Sequence, residues 1–74
     1  MSDDAQFSLF IGDLITLYDR AAGVVDRQPA WVARTCRRAI AVLKAYRPED
    51  VGQEILIETA IEGYEALLKR AGRT

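Results

Sequence analysis

Apolar side chains return at three- and four-residue steps in three stretches of the chain, the spacing that lines one face of an α-helix. In the first stretch they are Phe7, Phe10, Ile11, Leu14, Tyr18, Ala21 and Val25. Ser2 or Asp3 is a good N-cap for this helix, and acids there suit the positive end of the helix dipole. Gly23 and Val25 are alternative C-terminal ends, so helix is expected over approximately 3–25. The second stretch places Val32, Thr35, Cys36, Ala39, Val42, Leu43 and Tyr46 on one face. Pro29 fits its first turn, where a missing N–H costs nothing, and Arg47-Pro48 ends it, because a residue before proline disfavours the α region. Helix is therefore expected over 29–46. The third stretch carries Leu56, Ile57, Ala60, Ile61, Tyr64, Leu67, Leu68 and Ala71. With Pro48-Glu49-Asp50 as its first turn, Lys69 and Arg70 in its last and Gly72 at C′, it predicts helix over 48–71.

Three helices of this length joined by a few residues must lie side by side and antiparallel. The expected fold is all-α, a small up-down-up three-helix bundle forming a single helical domain over residues 1–74. A helical hairpin that completes its core by homodimerisation is the alternative. At 74 residues the core is near the lower limit for a domain without staples, and a partner subunit is one way to enlarge it.

Charge changes the picture more than composition does. The net charge of −1 conceals a segregation along the chain. Residues 1–26 sum to −4. Residues 27–47 hold Arg27, Arg34, Arg37, Arg38, Lys44 and Arg47 with no acid, and residues 48–74 sum to −3. On the second helix the cations fall opposite Val32, Ala39 and Leu43, while Glu54, Glu58, Glu62 and Glu65 form an acidic stripe on the third. One reading is that the two stripes pair across the bundle seams, each exposed pair being worth about 0–1 kcal/mol. The other is that the basic face meets an anionic partner.

Several chemistries lack their residues. There is no His, which removes the commonest general base and metal ligand, and the lone Cys36 cannot build a thiolate site or a disulfide framework. No Gly-rich phosphate loop is present, and neither Ser2 nor Ser8 has a base nearby in sequence. The chain is expected to be no enzyme, with no catalytic residues, no cofactor and no metal. The acidic start lacks the basic region of a secretory signal, and no apolar run approaches a membrane span. A soluble cytoplasmic protein with no membrane partner is expected.

Trp31 is the most informative single residue. It stands at the edge of the second helix's apolar face, on one stripe with Arg27, Arg34 and Arg38. It either caps the core with Arg34 stacked on its ring or centres a docking surface, since Trp and Arg are enriched at binding hot spots. Leu9, Val51 and Ile55 lie off their stripes. Val51 and Ile55 are read either as a partner or dimer patch or as a cover over the connection near Val24 and Val25. Ala60 and Gly63 would let another helix approach closely, and because Gly destabilises a helix interior a packing reason is expected at Gly63.

The expected function is a small non-enzymatic protein–protein interaction module, such as an adaptor, inhibitor or chaperone-like subunit. Its partner-binding residues are Trp31, Arg27, Arg34, Arg37, Arg38, Lys44, Val51 and Ile55. The partner is expected to be another protein with an acidic patch, and homodimerisation is a further partner reading. Nucleic-acid binding by the same basic helix is the alternative, disfavoured by an isoelectric point near 5.3 and by the acidic flanking helices.

Overall fold

The computed structural model of the chain describes residues 2–73, in which α1 (Ser2–Gly23), α2 (Pro29–Ala45) and α3 (Val51–Arg73) are the three elements. They form an elongated up-down-up bundle with extents of 42 × 16 × 15 Å. All three helices come from one chain, so the hairpin completed by a second copy is not the architecture. The side-chain capping expected of Ser2 or Asp3 lies outside the described residues.

The apolar periodicities meet in one core of Phe7, Ile11, Leu14, Ala21, Val25, Val32, Cys36, Ala39, Leu43, Ile57, Tyr64, Leu67 and Ala71. α2 and α3 pack against each other most closely, α2 presenting the small side chains Cys36 and Ala39 to the core. α1 touches both more lightly and is held largely by aromatic rings. Phe10 stacks on Tyr46 with centroids 4.6 Å apart, and Phe7 tilts against the same ring at 5.5 Å. Further along, Tyr18 meets Tyr64 edge-on at 5.5 Å, and the Tyr64 hydroxyl donates to the Leu14 carbonyl. Burial pushes the Tyr64 phenol up to about 12, with smaller contributions from Cys36, Asp19 and Tyr18.

The helix ends differ from expectation in instructive ways. α1 stops at Gly23, although Val25 is buried. The N–H groups of Arg27 and Gln28 both bond to the Val24 carbonyl, forming a turn that folds Val25 into the core instead of continuing the helix. α2 stops at Ala45, and extended Tyr46 closes it by donating to the Leu43 carbonyl. α3 starts at Val51, not Pro48, because Asp50 supplies a better start. Its carboxylate accepts from the Gln53 N–H at 2.9 Å, and the Gln53 side chain reaches back to accept from the Glu49 N–H at 2.8 Å. This is a capping-box exchange displaced by one residue, and it explains why Gln53, a polar side chain, is only 5% exposed. At the other end α3 runs on to Arg73, and Gly72 lies within the helix with no positive φ, so it is not the expected C′ cap.

Two side chains expected in the core are outside it. Val42 is 45% and Leu56 is 50% exposed. Each sits at the margin of its helix's apolar arc, on the flank turned towards α1. α1 packs more lightly on α2 and α3 than these pack on each other, and it covers neither side chain. Ile15, on α1 beside Thr59, Ala60 and Gly63 of α3, is exposed as well.

Candidate functional site

The looser seat of α1 leaves a groove along each of its sides. The larger, 290 Å³ in volume, runs between α1 and α2. α2 contributes Trp31, Thr35, Arg38, Ala39 and Val42, and α1 contributes Leu14 and Leu17. Trp31, Thr35, Arg38 and Val42 follow at i, i+4, i+7 and i+11, so they form one flank of α2 nearly three turns long. A smaller depression of 90 Å³ opens on the outer side of the same tryptophan, lined by Trp31, Arg34, Thr35 and Arg38. Trp31 is half-buried and thus forms a wall shared by an apolar groove and an arginine-lined recess.

Arg34 and Arg38 are exposed, and among the described residues neither forms an ion pair or stacks on the indole ring. The expected stacking of Arg34 on Trp31 is therefore not the arrangement, and the guanidiniums remain open to a partner. Nor is an ion pair between the basic stripe of α2 and the acidic stripe of α3 found among the described residues, so seam pairing does not account for either stripe. Arg20 lies three residues beyond Leu17 on α1 and adds a third cation near this flank. Asp13, four residues before Leu17, brings one carboxylate.

The other residues expected to bind a partner do not join this surface. Arg37 and Lys44 project from the opposite flank of α2, on the side of α3. Arg27 lies in the exposed turn before α2 and so shares no helical stripe with Trp31. Val51 and Ile55 are exposed at the start of α3. That start adjoins the C-terminal end of α2, whereas Trp31 and the connection holding Val24 and Val25 lie at the N-terminal end, roughly 25 Å away along a 17-residue helix. They cover neither Val24 nor Val25, and they make no common patch with Trp31. Leu17 and Val42 complete the groove but were not expected there. The i+11 relation of Val42 to Trp31 was available in the sequence, whereas the part played by Leu17 depends on how two helices meet.

The second groove, 190 Å³, lies between α1 and α3 and has no charged lining: Leu14, Ile15, Tyr18, Thr59, Ala60, Gly63 and Tyr64. Gly63 faces Tyr18, but a methyl group added there would meet the ring at 3.6 Å, an ordinary contact. The expected packing requirement for glycine is thus not present within the bundle. Cys36 is fully buried and its thiol is pushed up by burial, which makes it an inert core residue. No helix of the described residues is long and apolar enough to cross a membrane. Comparison with protein families, with characterised proteins and with solved structures finds no match.

Proposed function

We propose that the protein is a non-enzymatic interaction module that engages a partner protein through the Trp31-bearing flank of α2. One observation carries this reading: a half-buried tryptophan separates an apolar groove from a recess bearing two exposed arginines. An aromatic anchor beside desolvatable apolar surface and bidentate donors is the composition of a binding hot spot. The contact residues are Leu17, Trp31, Thr35, Arg34, Arg38 and Val42. A single buried thiol supports a reducing compartment such as the cytoplasm, since nothing in the fold depends on a disulfide. Dimerisation is not needed to complete the core.

The test is affinity capture from nuclease-treated native lysate, comparing the intact protein with Trp31→Ala combined with Arg34→Glu. A specific protein partner retained by the former and lost by the latter is the expected result. A partner held equally by both would refute the choice of face. Capture that disappears on nuclease treatment would shift the reading to nucleic acid.

A further inference from the structure

The geometry points to a particular kind of ligand for the Trp31 groove: a short amphipathic helix of a partner protein, with aliphatic anchors on one face and carboxylates beside them. This rests on the interaction-module reading and adds the chemistry of the partner. The groove is bounded by two antiparallel helices, and its α2 wall runs from Trp31 to Val42, roughly 16 Å at 1.5 Å per residue. That length matches about three turns of a docked helix, whose side chains at i, i+3 or i+4, and i+7 would reach between Leu17 and Val42. An apolar floor selects aliphatic anchors.

Charge then selects among amphipathic helices. Arg38 stands in the groove wall and Arg34 beside it in the outer recess, both exposed and without an ion pair among the described residues. Arg20 lies on the facing flank of α1, against the single carboxylate of Asp13. Planar guanidiniums at the edge of an apolar trough hold Asp or Glu bidentately and repel a basic helix. A nucleic-acid duplex is less well served. The groove is largely apolar, with Thr35, Arg38 and the Trp31 N–H as its few donors, and the acids of α1 and α3 flank the basic strip on both sides.

The experiment pans a displayed library of random twelve-residue peptides on the immobilised full chain and measures selected peptides, each carrying a terminal fluorophore, in solution by fluorescence anisotropy, a readout that does not depend on Trp31, the only tryptophan. Selected peptides are expected to combine aliphatic residues at three- and four-residue spacing with adjacent Asp or Glu. Arg38→Glu, an exposed change that leaves the core untouched, is expected to weaken them at least ten-fold. Replacing the peptide's facing acid with Lys is expected to restore binding to that variant. Absence of any selected peptide, peptides without an excess of acids, or indifference to Arg38→Glu would overturn the proposal. Acid-free peptides that are nevertheless lost on Trp31→Ala would leave the interaction face standing and refute only the ligand class. Peptides indifferent to both variants would refute the face as well. Duplex DNA that displaces the peptides at about 50 mM salt, and fails to bind Arg38→Glu, would assign the surface to nucleic acid instead.

Discussion

Tyr64→Phe should cost stability at neutral pH and gain it in strong alkali, with the two proteins crossing over between. The side chain is 1% exposed, and its hydroxyl donates to the Leu14 carbonyl. Leu14 lies mid-helix, so that carbonyl also belongs to the α1 ladder and keeps a partner when the phenol is removed. The loss at pH 7 is therefore that of one ordinary hydrogen bond, about 1 kcal/mol. Ionisation acts in the opposite direction. The folded phenol is pushed up to about 12, whereas an unfolded tyrosine loses its proton near 10. Above pH 10 the unfolded state holds fewer protons than the folded one, so the contribution of Tyr64 is intact below 10 and is lost as pH rises towards 12. The loss is about 1.4 kcal/mol per pH unit across that window. Wild type should lead by about 1 kcal/mol at pH 8, meet Tyr64→Phe near pH 11 and fall below it beyond. Other groups titrate in the same range, but both proteins share them, and the difference isolates Tyr64. Urea titrations followed by helical circular dichroism at half-unit steps from pH 8 to pH 11.5 measure it. Parallel curves across the whole range would refute the account of a buried, hydrogen-bonded phenol.

Three more outcomes follow from the same geometry. Asp50→Ala removes the cap of α3 and should cost about 1 kcal/mol in urea unfolding, whereas alanine at exposed Glu49 should cost much less. Gly12→Ala and Gly63→Ala should each stabilise by roughly 0.5–1 kcal/mol, raising Tm by a few degrees, because neither added methyl is obstructed. A fall in Tm at Gly63 alone would mean that α1 sits closer to α3 than described. Cys36 should resist a thiol-specific reagent at pH 8 for as long as the protein is folded and react fully in denaturant; rapid labelling of the native protein would contradict its burial.

The fold was legible because each helix repeats its apolar positions cleanly, and Pro29 and Pro48 punctuate the chain between them. What escaped was decided by competition between local signals or by the meeting of two helices. Pro48 fits a first helical turn, yet Asp50 with Gln53 three residues on forms the stronger start, and that D-x-x-Q spacing was present to be read. Val42 and Leu56 satisfy the helical period and are nonetheless exposed, because a period fixes direction and says nothing of how near the neighbouring helix comes. The candidate site divides the same way. Trp31, Arg34 and Arg38 lie together because they share one helix, at i, i+3 and i+7. Arg37 and Lys44 share that helix and turn away from it, and Val51 and Ile55 belong to its far end. Leu17 enters from α1, a neighbour that only tertiary packing supplies.

The rings that seat α1 also set a schedule. Phe7 and Phe10 have their partner in Tyr46, and Tyr18 has its partner in Tyr64. A ribosome delivers these rings before their partners. At about 5–20 residues per second, some 2–7 s separate Phe10 from Tyr46 during synthesis. The rings at the start of α1 can meet Tyr46 once α2 has emerged, whereas the contact of Tyr18 with Tyr64 waits for α3. Through that interval the aromatic face of α1 lacks its native cover, and transiently exposed apolar surface of this kind is what makes a nascent chain prone to aggregate.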